Sequence, residues 1–188
     1  MLHMRKPAEQ KAETRQRIMD AASVLFRQHG IDGVGVDAIM RAAGLTHGGF
    51  YGHFASKEAL VGEVSAASLA RAATRWERVA DQDGAAALES IVGGYLDPDH
   101  VADLDRACVL TTIGPEVARR PEQRPAISDS VRRMAAVLAR VMPQADTQKA
   151  LAALSTMVGA VVLARLADDP AAAEAVLGAA KAAVLHDA

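Results

Sequence analysis

The side chains of this chain that could do chemistry concentrate in one stretch, Thr46-His47-Gly48-Gly49-Phe50-Tyr51-Gly52-His53, with Lys57 just beyond. The stretch offers a hydroxyl, two imidazoles, a phenol and an amine. Such groups donate hydrogen bonds or carry positive charge, the chemistry that phosphate oxygens and base edges accept. They do not suit a metal, because His47 and His53 stand six apart and would leave a helix on different sides. The remaining histidines are scattered, so no metal ligand set is expected. No Walker loop, GxSxG, HExxH or CxxC pair is present, and neither enzymatic function nor a cofactor is expected. Two decoys fail on spacing. Gly30 to Gly35 lacks the GxGxxG pattern and follows no strand. Asp97, Asp99, Asp103 and Asp105 suggest a calcium loop, yet its sixth and twelfth positions would be Ala102 and Cys108, where Gly and Glu are needed.

The elements that must position this stretch can be read from its flanks. Asp37 to Ala43 favours a short helix with Ile39 and Met40 on its apolar side, and Gly44 can end it at little cost. Leu45 anchors a turn, and Thr46 can cap the next helix. In that helix Phe50 and Phe54 share one face while His47, Gly48, Gly49, Tyr51 and His53 face outward. A following helix starts at Ser56, with Glu58 in its first turn. Before them, Ile18, Ala22, Leu25 and Phe26 recur at helical spacing over about Thr14 to His29. The arrangement is a helix-turn-helix that offers its second helix to an outside partner.

Ala22-Ser23-Val24-Leu25-Phe26 with Gly30, then Ile39 to Thr46, then Phe50 to Leu60 is similar to the DNA-binding domain of the TetR family of bacterial transcriptional regulators (TetR/AcrR type). The motif covers about a quarter of the chain, and the remainder matches only in length and helical character. The resemblance implies phosphate contacts from Tyr51 and Lys57, with Thr46 and His53 as lesser candidates. His47 is the residue expected to reach a base edge, with Gly48 and Gly49 letting the backbone approach. Gly52, where a larger side chain is common, and Asp37, where a basic one would help, leave few groups for direct readout. Specificity would then lean on DNA shape and on a basic arm, residues 1–12, carrying Arg5, Lys6 and Lys11. The alternative for that arm is a disordered start.

With 188 residues, 51% hydrophobic and only 3% aromatic, the chain is expected to be all-α. About nine helices are predicted, divided into residues 1–57, the arm and helix-turn-helix, and residues 58–188, a helical effector-binding and dimerisation domain. The first 58 residues hold eight Lys or Arg against six Asp or Glu, and the rest thirteen against seventeen. The basic excess lies where DNA would be met, although net charge alone would not have suggested nucleic acid. A single cysteine, Cys108, and a polar start from Met1 to Lys11 lead us to expect a soluble cytoplasmic protein without disulfides. The uncharged run Ala150 to Ala164 is too short to span a bilayer.

Beyond Ser56, helices are expected to about Ala80, over Ala85–Leu96, Ala102–Ile113 (bent at Gly114-Pro115 before a short helical piece near Glu116 to Arg120), Ala126–Met142, Thr147–Ala167 and Ala171–Leu185. The last two, the eighth and ninth, are apolar on many faces. A second copy packed on them would bury that surface as a four-helix bundle, with Leu154, Val158, Val161, Val162, Val176 and Ala180 at the interface. The alternative is that both are interior helices of a monomer. The resemblance also implies a pocket among the fourth to eighth helices for a small-molecule effector. Candidate linings are Trp76, Tyr95, Cys108, Thr111, Thr112, Met134 and Met157, an aliphatic set that favours an apolar ligand; each is equally explained as core. Cys108 is either a redox or electrophile sensor or a buried inert thiol. The function expected is an effector-released repressor that binds a near-palindromic operator as a homodimer. The alternative is a helical ligand-binding or dimerisation module without DNA binding.

Overall fold

The structure, a computed structural model, describes residues 7–143 and 146–186. All regular elements among the described residues are helical, in accord with the all-α expectation. α1 (Pro7–His29) leads to α2 (Val36–Ala42), a 3-10 turn (His47–Gly52) and the long α3 (Lys57–Gln82). Then come α4 (Ala87–Tyr95), α5 (Pro98–Ala102), α6 (Val109–Thr112), α7 (Gly114–Ala118), α8 (Arg124–Val141), α9 (Thr147–Leu166) and α10 (Pro170–His186).

α1 buries Ile18, Ala22 and Phe26 completely, the stripe its spacing demands. It stops at Gly30, whose φ of 74° is a conformation that other residues adopt only with strain. The helix begins at Pro7, earlier than Thr14, so Lys11 stands on a helix and not in a mobile arm. Arg5 and Lys6 lie outside the described residues.

α3 starts from Ser56, whose hydroxyl accepts from the Ala59 amide at 3.1 Å. At 26 residues it reaches from the N-terminal helices into the body of the protein. Its first half packs on α1, and along its length it packs on α8. α9 lies between α8 and α10. Leu69, Met134, Leu138 and Met157 are fully buried where α3, α8 and α9 meet. Arg133 clamps α8 to α3 through two parallel bonds to Glu77, 2.7 and 2.6 Å. Those bonds hold the Glu77 carboxyl below its usual range.

Between α4 and α8 the chain departs from the expected single helix over Ala102–Ile113. Asp97 accepts from the Asp99 and His100 amides and starts α5 at Pro98, four residues early. α5 ends at Ala102, and an irregular segment runs to Cys108 before α6. The expectation of about nine helices agrees with the fold, the difference lying in this region, which divides into short helices.

α9 is 20 residues long with a mean hydropathy of 1.6, long and apolar enough by length and composition to cross a bilayer. The uncharged run alone falls short; the whole helix does not. It is packed as a bundle helix, with Ala150, Ala153, Leu154, Met157, Ala160 and Val161 turned inward. Its opposite side exposes Leu151, Val162, Leu163 and Leu166.

Candidate nucleic-acid interface

The N-terminal helices hold the His47–Gly52 turn from beneath. Phe50 is fully buried and stacks on Phe54 with ring centroids 5.7 Å apart. Phe26 and Ile39 complete this small core with no exposed surface, and Leu45 packs against it half-buried. Arg15 lies over the Phe54 ring at 4.4 Å and pairs with Glu63 of α3. The link between α2 and the 3-10 turn is equally fixed: the Leu45 amide donates to Met40 at 2.8 Å, and Gly44 has φ 68°. Arg17 donates to the Ala43 carbonyl and sits beside Gly44, where a Cβ would meet it at 2.9 Å.

On this base the polar groups stand outward. Tyr51 is 66% exposed, its ring set edge-on against Phe50 at 5.3 Å. His47 is exposed, and its Nδ1 contacts the Asp37 carboxylate. The acidic residue of α2 thus holds the imidazole expected to reach a base. Thr46 occupies the capping position, but its side chain makes no cap bond; its carbonyl accepts from Gly49 at 3.2 Å. A 3-10 turn of six residues stands here in place of the expected helix. Gly48 and Gly52 face open space, where an added Cβ would meet nothing within 4 Å.

His53 differs from its expected exposure. It is half-buried with Nδ1 lacking a hydrogen-bond partner, in a shallow groove beside Lys11 and Thr14 of α1. Lys57 opens α3, so its amine and the free amides of that helix start add positive potential at one place. Arg41, exposed near the end of α2, is a further cation of this face. Sequence reasoning passed over it; its position four residues after Asp37 on one helix face was the available signal.

The body meets this unit through polar bonds. Arg27, near the end of α1, donates to Ser23, to Ser68 of α3 and to the Asp105 carbonyl. The Ile31 amide donates to Glu116 of α7 at 2.9 Å, and Arg120 pairs with Asp32 at 2.6 Å.

Of the predicted pocket residues, the structure brings Trp76, Tyr95 and Cys108 together. Trp76 and Tyr95 pack edge to face at 5.7 Å and line a cleft of about 440 Å³ that adjoins an inner chamber of about 200 Å³. Cys108 lines the chamber only. Thr111 is instead engaged by Arg165 at 2.9 Å, and Thr112 bonds back to the Cys108 carbonyl. Met134 and Met157 are fully buried core. The lining is not aliphatic: Arg75, Arg106 and His100 share it with Trp76 and Tyr95. Of the predicted interface residues, Leu154, Val161 and Ala180 are buried within the chain, where a partner cannot reach them. Val158 and Val176 are half-buried and Val162 is exposed. Among the described residues, no three His, Cys, Asp or Glu side chains gather as a metal ion would require.

Residues 18–64 match the sequence profile described as bacterial regulatory proteins, tetR family. The HTH-type transcriptional regulator AcrR of Shigella flexneri is 42% identical over 60 residues, 32% of this chain and 28% of that protein. The HTH-type transcriptional regulator SrpR of Pseudomonas putida is 47% identical over 53 residues, 28% of this chain and 25% of its own length. The match therefore spans only 25–40% of the length of the curated relatives. Similarity of fold extends further. E. coli NemR in its reduced form aligns with a TM-score of 0.76 at 19% identity, over 90% of this chain and 95% of that one. A TetR-family transcriptional regulator from Cytophaga hutchinsonii aligns with a TM-score of 0.78 at 18% identity, over 94% and 96%.

Proposed function

We propose that this chain, whose residues 18–64 are a domain of the tetR family of bacterial regulatory proteins, is a transcriptional repressor that binds operator DNA as a homodimer and releases it on binding a small effector. The observation that carries the reading is the face of exposed Thr46, His47 and Tyr51 with half-buried Lys57, fixed over the buried pair Phe50 and Phe54 in the segment that matches the family.

In this reading, Tyr51 donates its hydroxyl to a phosphate and Lys57 supplies charge at the start of α3, together setting the register on the duplex. His47 approaches a base edge, with Asp37 orienting its ring. Gly48 and Gly52 admit the sugar-phosphate backbone close to the protein main chain. His53 and Lys11 line the groove beside this face and extend it toward α1. Residues 1–57, ending with Lys57 at the start of α3, form the DNA-binding unit, and residues 58–188 form the effector and dimerisation body.

Dimerisation through α9 and α10 is supported by the exposed Leu151, Val162 and Leu166 of α9 beside the small exposed Ala171, Ala175 and Gly178 of α10. Two-fold pairing there would present two recognition turns about 34–36 Å apart and read a near-palindrome. The site of action is then the cytoplasm, where the DNA is.

The test is a gel shift with DNA from upstream of the protein's own gene at several salt concentrations. Tyr51→Phe should weaken binding by ten- to a hundredfold, since a hydrogen bond to a charged group contributes roughly 1.5–3 kcal/mol. Lys57→Ala should lower the salt slope by about one. Unchanged affinity and slope in both variants would remove this face from the interface. A chain that dimerises and binds small molecules while ignoring DNA would favour the alternative of a ligand-binding module.

A further inference from the structure

The inner chamber beside Trp76 is lined by four guanidinium groups, those of Arg27, Arg71, Arg75 and Arg106, and by His100. No carboxylate lines it. Asp99 and Asp103 reach only the outer cleft, and Asp105 lies beyond, its side chain bound to Gln28 at 2.5 Å. Arg71, Arg75 and Arg106 enter none of the ion pairs among the described residues.

Arg27 is satisfied only in part, and only by neutral oxygens, from Ser23, Ser68 and the Asp105 carbonyl. Its Nε is buried without a partner. Burial, followed by the charge of Arg71, lowers the Arg27 pKa. Tyr95, 5% exposed, also lines the chamber, and its hydroxyl lies beside the Cys108 thiol. Native interiors rarely leave a buried guanidinium N–H unpaired. Arg27 alone of the four is substantially withdrawn from water, with Arg71, Arg75 and Arg106 exposed around it, so an anion here would meet one desolvated guanidinium and three solvated ones. That unpaired donor, among three further guanidinium groups, is met by an anion that accepts from several donors at once. The rest of the wall is apolar, built from Trp76, Leu69, Ala72 and Val109.

We propose that the effector is a small organic acid in its ionised form, with its anionic head among Arg27, Arg71, Arg75 and Arg106 and on the Tyr95 hydroxyl, and its apolar part against Trp76. The inference rests on the reading of the chain as an effector-switched regulator and replaces the apolar ligand expected from sequence. It also supplies a route to the DNA-binding unit. Arg27 stands on α1 and bonds both α3 and the segment before α6. An anion that draws its guanidinium inward competes with those bonds and shifts α1 relative to α3.

Trp76 is the single tryptophan of the chain, so its fluorescence reports occupancy. The full-length protein is titrated at fixed ionic strength with benzoate, phenyl phosphate, benzyl alcohol and benzylamine. At least one acid should bind about tenfold or more tightly than the neutral alcohol and the amine. Whichever acid binds better identifies the head group. Arg71→Gln and Arg75→Gln, both at exposed side chains, should each weaken that binding by about tenfold, with helicity by circular dichroism unchanged. Alcohol or amine binding as tightly as both acids, acid binding indifferent to both variants, or no saturable response to either acid at millimolar concentration would overturn the proposal. Operator affinity without ligand is measured in parallel on the same proteins. Its absence would count against the regulator reading, while the titration judges the anion site by itself.

Discussion

Phe50 decides whether the recognition face exists. It is fully buried, touches Tyr51 edge-on and stacks on Phe54, so Phe50→Ala should cost about 3–5 kcal/mol. Thermal unfolding would show that loss, and DNA binding would go with it. At the body, His100 is held below its ordinary value of 6.5 by burial, then by Arg75 and Arg165, against the opposing pull of Asp103 and Asp97. A depressed histidine stays neutral in the fold while the unfolded chain takes up a proton below 6.5. The stability tied to its neutrality is full above that value and is lost as pH falls through the folded one. His100→Asn should therefore lose less Tm than wild type between about pH 7 and pH 5. A parallel decline in both would remove His100 from the acid response. At this scale the sequence was legible where apolar spacing ruled, as for Phe26, Ile39, Phe50 and Phe54. It was not legible for Thr46, whose capping role depends on a helix type that composition does not reveal, nor for Asp37, which meets His47 only after the turn folds.

The helices followed from periodicity wherever one face was apolar for several turns: α1, α3 and α8. Short elements were missed for a local reason. Gly48, Gly49 and Gly52 in a six-residue span weaken α-helix propagation, and the chain settles into a 3-10 turn. The segment from Asp97 to Cys108 carries the capping and turn residues Asp97, Pro98 and Asp103, which start α5 early and stop it after five residues. Glu116 of α7 ties the body to the loop after α1 by accepting from Ile31 and Asp32. Glu116→Ala should loosen this junction without unfolding either side. Hydrogen exchange at the Ile31 amide should quicken while that in α9 stays unchanged; equal protection in the variant would show that the bond holds nothing in place.

For the molecule as a whole, the body's purpose was the least legible part. Leu154, Val161 and Ala180 are as apolar as Leu151 and Val162, and α9 shows no clear amphipathic phase from which inner and outer faces could be chosen. Packing against α8 and α10 makes the choice, leaving Leu151, Val162, Leu163 and Leu166 outside. Val162→Glu with Leu166→Glu should yield a folded monomer by sedimentation and lower DNA affinity by the loss of paired half-sites. A dimer that survives both charges would place the interface elsewhere. The clefts were equally hidden: their arginines come from α1, from α3 and from the loop at Arg106, separated in sequence and joined only by the fold.

The central claim is that the Thr46–Lys57 face reads DNA, and selection of binding sites from a random duplex pool tests it without knowledge of the operator. Wild type is run beside Gly48→Asp, a change that meets no protein atom within 4 Å and sets a negative charge against the phosphates. The account predicts that wild type enriches a near-palindrome whose half-site centres lie about one helical turn apart, and that Gly48→Asp, folded as wild type, enriches nothing. Enrichment of the same sequence by both proteins, or by neither, would contradict it.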